Sequence, residues 1–200
     1  MRLATLFSIA LVCLFYPFIA YAAGVNFFAK GLMHPIVVPT QLISVFALGL
    51  LLGQQGWKHI RIVLPVFLVG IGAALIMTRY QSVSWNPEMI LLPVAAVTGL
   101  LLTLKSQWHM ALTLLTALVV ALVIGMDSSV PMIPGLQTRK IYAHLAGTGI
   151  SIFSLLVFIT LISHALRNLV SGIILRVLGA WSAAGAVLVL TLLLANAART

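Results

Sequence analysis

Six apolar runs, each close to the length of a membrane-spanning helix, constrain this chain more than any other feature of its sequence. They cover about residues 35–53, 61–78, 87–104, 109–125, 141–165 and 174–197. A helix needs about 20 apolar residues to cross a bilayer. Charged residues make up only 6% of the 200 residues, whereas a soluble domain has about a quarter. The sequence therefore predicts an all-α, polytopic transmembrane helical bundle of six spanning helices with short loops.

The N-terminal segment, residues 1–22, is typical of a secretory signal. It has a basic start at Arg2, an apolar core and a small-x-small ending at 20–22. We expect a signal peptide or a retained signal anchor here, followed by a six-helix transmembrane domain at 23–200. This segment predicts a multi-pass protein of the bacterial inner (cytoplasmic) membrane with the mature N-terminus and the C-terminus outside. The basic residues of the loops are too evenly divided to set the orientation by themselves.

The charge balance is strongly basic, with 11 Lys and Arg against 2 Asp and Glu. Because the basic residues flank apolar runs singly, they indicate membrane-end anchors rather than a nucleic-acid surface. The predicted partners are therefore the lipid bilayer and no nucleic acid. The single cysteine, Cys13, excludes a disulfide or a cysteine metal cluster within one chain. No hydrolase or phosphate-loop motif is present, so we expect no enzyme.

The first run is the one around which we expect the other helices to pack. It opens with His34-Pro35, which favours a helix start with proline in the first turn. Polar side chains are expensive at membrane depth and usually face the bundle interior. Gly49 and Gly53 have the small-xxx-small spacing of closely packed membrane helices. The polar side chains within this run are Thr40, Gln41 and Ser44.

Three titratable side chains form a candidate metal site. Because successive spans alternate in direction, the first, third and fifth helices start on one side of the membrane, which places His34, Glu88 and His144 at one depth. Two imidazoles and a carboxylate suit a divalent ion such as nickel, zinc or iron. The alternative is that each side chain hydrogen-bonds to a neighbouring helix, and helix N-termini disfavour cations.

Polar residues continue from this candidate site along the same helix faces. Gln41 follows His34 by seven residues, and Thr148 and Ser151 follow His144 by four and seven. We expect these three to line a pathway into the bilayer. The side chains expected to meet water or a charged neighbour at the run edges are His59, His109, His164 and Asp127.

The chain resembles the HupE/UreJ family of hydrogenase and urease accessory membrane proteins. In the family's first-helix pattern, His-Pro-x-x-Gly-x-Asp-His, the His-Pro step matches His34-Pro35. The other short matches, spread over essentially the whole chain, are Gly49, Glu88 with Gly99, 143–147 as the family's Leu-His-x-x-Gly helix, 178–180 and Gly185. The resemblance implies nickel or cobalt uptake and supply to metalloenzyme assembly.

The departures from the family pattern fall on its metal-site residues. The family's Asp and His are Thr40 and Gln41 here, and its first-helix glycine is Val38. The family's fourth helix ends in a histidine-rich motif, whereas residues 121–127 contain no histidine. The resemblance therefore implies the family's scaffold with a depleted set of metal ligands.

Two functions follow as expectations. The first is a nickel-type metal permease or metal-supply accessory protein that uses His34, Glu88 and His144. The second is a non-transporting accessory subunit of a larger membrane complex, which would meet partner membrane subunits or further copies of itself. A haem protein with His109 and His164 as axial ligands is a third reading, disfavoured because haem ligands normally lie deeper in the membrane.

Overall fold

The computed structural model describes residues 27–78, 86–104, 109–128, 138–167 and 172–198. These ranges hold seven helices and no strand, so the predicted all-α class is confirmed. The helices are α1 (Phe27–Val37), α2 (Pro39–Gln55), α3 (Trp57–Met77), α4 (Glu88–Thr103), α5 (Met110–Asp127), α6 (Thr138–Leu166) and α7 (Ile173–Ala197). The predicted signal-like segment, 1–22, lies outside the described residues.

Several of these helices are long and apolar enough to span a membrane. Four qualify alone, namely α3, α5, α6 and α7, and the bent pair of α1 and α2 makes up to five. Helix α4 is apolar but has only 16 residues. The chain is thus a protein with multiple transmembrane helices by length and composition, whereas the count of six spans stays a prediction.

Helix α2 is the centre of the bundle, as the sequence predicts. It contacts each of the other six described helices. From Ala47 to Gly53 every residue is buried, because neighbouring helices surround it on all sides. The polar residues Thr40, Gln41 and Ser44 are buried as well, so they face protein rather than lipid.

The helix is interrupted between α1 and α2, where the sequence predicts a single helix starting at His34-Pro35. That prediction is wrong, because Pro35 lies inside α1 and the helix axis bends by 72° at Val38. Val38 is extended, with φ −93° and ψ 101°. A residue before proline is disfavoured in the helical region, and Pro39 has no N–H to continue the ladder. His34 therefore lies in the last turn of α1 rather than at the start of α2.

The contacts between helices show that α2 and α4 run in the same direction. Ser44 donates to the Leu91 carbonyl, and Gln54, ten residues later, donates to Leu102. Both partners advance together along the chain, as parallel helices require. The starts of α2 and α4 therefore lie at one end of the bundle.

Helix α6 runs in the same direction as α2 and packs against its glycines. A Cβ built at Gly49 lies 2.7 Å from Ile159, and one at Gly53 meets Ser163. The Ser163 hydroxyl donates to the Leu50 carbonyl at 3.0 Å. The small-xxx-small pair of the first run thus packs closely against α6, as predicted.

Helices α4 and α7 also cross through glycines, and they run in opposite directions. A Cβ at Gly99 would lie 2.7 Å from the Gly179 carbonyl, and one at Gly179 would lie 2.6 Å from Leu102. Near the end of α4, the Arg176 guanidinium donates to the Thr103 carbonyl. The starts of α2, α4 and α6 therefore share one end of the bundle with the end of α7.

Candidate functional site

A close crossing of α1 over α6 builds the candidate site. A Cβ at Gly31 would collide with the His144 carbonyl, and a Cβ at Gly147 would collide with the Phe28 carbonyl. Only glycine at both positions lets the two backbones approach this closely. Each glycine lies three residues from a histidine, since His34 follows Gly31 and His144 precedes Gly147. The crossing therefore brings the two histidines together.

The two imidazoles lie side by side. Their ring centroids are 5.7 Å apart at an interplanar angle of 65°. The Nε2 atom of His34 and the Nδ1 atom of His144 are both buried, and neither has a hydrogen-bond partner among the described residues. Buried polar atoms nearly always have a partner, so these two nitrogens are candidates for binding a ligand.

A partly buried hydrogen bond joins the start of α2 to the end of α5 beside these rings. The Gln41 amide, which is 0% exposed, donates from Nε2 to the Asp127 carboxylate at 2.7 Å. Asp127 is also close enough to His34 for an electrostatic interaction. We expect Asp127 to meet water or a basic neighbour; it is half-buried and lies near His34, and its hydrogen-bond partner is the buried Gln41 amide, which the sequence does not reveal.

Asp127 is the residue of the site that sequence reasoning missed. The chain has only two acids, and Asp127 ends the fourth apolar run. Because successive spans alternate in direction, the end of the fourth run lies at the same depth as the start of the first run. Its negative charge also complements the positive end of α2, which has no side-chain cap. Two oxygens in the first turn of α2, Gln41 Oε1 and Thr40 Oγ1, are buried without a partner among the described residues.

The predicted pathway residues of α6 make backbone hydrogen bonds. The Thr148 hydroxyl donates to the His144 carbonyl at 3.1 Å. The Ser151 hydroxyl donates to the Leu32 carbonyl at 2.7 Å and so ties α6 to α1. The Ser151 bond contributes to the crossing of α1 and α6, whereas the Thr148 bond lies within α6; the role of these two residues and Gln41 in lining a pathway stays a prediction.

Glu88 does not join the two histidines as a third ligand in this structure. It is half-exposed in the first turn of α4. Among the described residues, no three His, Cys, Asp or Glu side chains are grouped closely enough to hold a metal ion. The structure thus pairs His34 with His144, and the predicted metal-binding role of Glu88 stays a prediction.

An apolar layer lies between the site and the opposite end of the bundle. Leu48, Leu52, Ile152 and Leu156 are each 0% exposed and belong to one core cluster of α2 and α6 with their neighbours. This layer separates His34 and His144 from the polar side chains at the far ends of α2 and α6.

The remaining histidines lie at that opposite end. His164 is near the end of α6, with its ring 5.8 Å from Trp57. His59 was expected in a solvated loop, but it lies in α3, where both ring nitrogens are buried without a partner among the described residues. His109 is exposed where α5 begins, as expected of a residue at the interface.

No protein-family model matches this sequence, and no curated protein or solved structure is significantly similar to it. The resemblance to the HupE/UreJ family therefore stays a prediction, and the argument about function rests on the residues themselves.

Proposed function

We propose that this chain is a HupE/UreJ-like membrane protein that takes up or supplies a transition-metal ion of the nickel type, with the ion held between His34 and His144. The observation that carries the proposal is the pair of adjacent imidazoles, each with a buried ring nitrogen that no described residue satisfies. Histidines are rare within membrane segments and mark functional sites there by default.

The chemistry of the surrounding groups supports this assignment. Neutral imidazole is a ligand that nickel, zinc, copper and iron share. The Asp127 carboxylate supplies a negative charge near His34, which offsets part of the charge of a divalent ion. The Gln41 carbonyl oxygen can complete the ligand set, because its amide nitrogen already donates to Asp127.

The signal-like segment supports a site on the outer side of the bacterial inner membrane, because a secretory signal places the residues that follow it outside. At the end opposite the site lie Lys58, Arg61, Arg167 and Arg176, and both acids of the chain are at the site end. Acidic residues contribute little to the orientation of a membrane protein, and Lys and Arg are nearly evenly divided between the two ends, so the charges do not set the orientation by themselves. We extend this to six spans, with α4 crossing as a short helix, behind the signal-like segment.

Nickel binding by the full-length protein in lipid nanodiscs tests the proposal. We expect His34→Ala and His144→Ala each to weaken nickel binding by more than about tenfold, because even the outer partners of metal ligands change affinity by about 10- to 100-fold. His109→Ala is the matched control, since this imidazole is exposed at the opposite end. A Glu88→Ala variant tests the third predicted ligand. Equal nickel binding by His34→Ala, His144→Ala and the control would refute the proposed function.

The apolar layer favours a second candidate function, a non-transporting accessory subunit. Leu48 and Ile152 are fully buried apolar side chains of α2 and α6, in the direction from the site to the opposite end of the bundle. On the outside of the bundle, α7 presents Trp181, 75% exposed, to lipid or to another chain. Nickel uptake into proteoliposomes distinguishes the two functions, because a permease accumulates the ion whereas a subunit binds it without moving it.

A further inference from the structure

Each histidine of the site has a lysine four residues before it on the same helix. Lys30 precedes His34 on α1, and Lys140 precedes His144 on α6. Residues at this spacing lie on one face of a helix. Both lysines are exposed at this end of the bundle.

One aromatic ring brings the two lysines together. The Nζ atom of Lys30 is 5.7 Å from the centre of the Phe27 ring, and the Nζ atom of Lys140 is 5.5 Å from it. Cation–π contacts of this length are attractive. Lys30 is also close enough to His144 for an electrostatic interaction. Both ammonium groups therefore lie around the Phe27 ring, and that of Lys30 is near His144.

This arrangement opposes the approach of a bare divalent cation. Among the described residues at this end of the bundle, the basic side chains Lys30, Arg139 and Lys140 outnumber the acids Glu88 and Asp127. Helices α2, α4 and α6 begin at this end while α5 and α7 end there, so the partial charges of the helix termini largely offset one another and the side chains set the balance. The excess of basic side chains at this end of the bundle attracts an anion and repels a hydrated metal ion.

We propose that the site receives its metal as a carboxylate chelate of net negative charge, with Lys30 and Lys140 binding the carboxylates of the chelator. This inference rests on the proposed function. Charge-assisted hydrogen bonds from the ammonium groups of Lys30 and Lys140 to the carboxylates hold the chelate next to the histidines. The metal then exchanges a carboxylate oxygen for an imidazole nitrogen of His34 or His144. No electron is transferred, and the freed carboxylate stays paired with a lysine.

The test compares nickel alone, nickel–citrate and citrate alone, each titrated against the full-length protein in nanodiscs of neutral lipid. The variant Lys30→Gln/Lys140→Gln removes both ammonium groups. Lys58→Gln/Arg61→Gln removes two exposed charges at the opposite end and is the matched control. We expect wild type to bind nickel–citrate more tightly than nickel alone. The lysine double variant should lose on the order of tenfold in affinity for the chelate, from two partly exposed ion pairs, and the control none.

Three results overturn the inference. The first is that nickel alone binds wild type at least as tightly as nickel–citrate. The second is that the lysine double variant binds the chelate like the control. The third is that citrate alone binds as tightly as the chelate, which would indicate an anion site without a metal. The proposed function fails separately, when neither form of nickel distinguishes wild type from His34→Ala.

Discussion

The crossing of α1 over α6 makes a sharp prediction for Gly147→Ala. The added Cβ would collide with the Phe28 carbonyl and lie 3.1 Å from the Leu32 amide nitrogen. Both neighbours are backbone atoms, so no side chain can move aside and α1 must shift away from α6. Overpacking of this kind costs about 1 to 3 kcal/mol. We place this site at about 2 to 3 kcal/mol because the obstacle is rigid backbone.

Hydrogen exchange of the α1 amides measures this cost directly. Since about 1.4 kcal/mol corresponds to a factor of ten, the α1 amides should exchange about 30- to 150-fold faster, while those of α4 and α7 change little. Gly72→Ala is the matched control, because a Cβ there meets nothing within 4 Å. If α1 exchanges at the same rate in Gly147→Ala and Gly72→Ala, the glycine crossing does not hold α1 in place and the reasoning is wrong.

Three further substitutions test other contacts, each read as a change in the free energy of unfolding. Gln41→Leu removes a hydrogen bond to a carboxylate and should cost about 1.5 to 3 kcal/mol. Gln54→Leu removes a bond to a neutral carbonyl and should cost about 1 kcal/mol. Equal losses of stability in the two variants would contradict a charged Asp127. Ser151→Ala should cost about 0.5 to 1.5 kcal/mol and loosen α1 alone, as exchange of its amides would report. Gly99→Leu should cost about 3 kcal/mol, because the new side chain separates α4 from α7. Gly185→Leu is the control, since a Cβ at Gly185 meets open space. Equal melting temperatures of the two variants would contradict this prediction.

The candidate site was partly predictable. Alternating spans bring the starts of the first and fifth runs to one end, which predicts that His34 and His144 lie at one depth, and the structure places their rings side by side. The same reasoning applied to the end of the fourth run would have found Asp127. Asp127 is not found by local reasoning, because a carboxylate next to a loop is usually solvated. No local pattern shows that its partner is a buried glutamine on another helix.

The sequence by itself determined that this chain is helical and apolar enough to span a membrane several times, because the length of each apolar run and the polar residues between runs are local properties. Only the tertiary structure decided that the first run breaks at Val38 and that α1 lies across α6. The physical reason is that lipid and protein interior are equally apolar. Hydrophobicity therefore marks which segments enter the membrane, but it does not mark which face of a helix meets which neighbour.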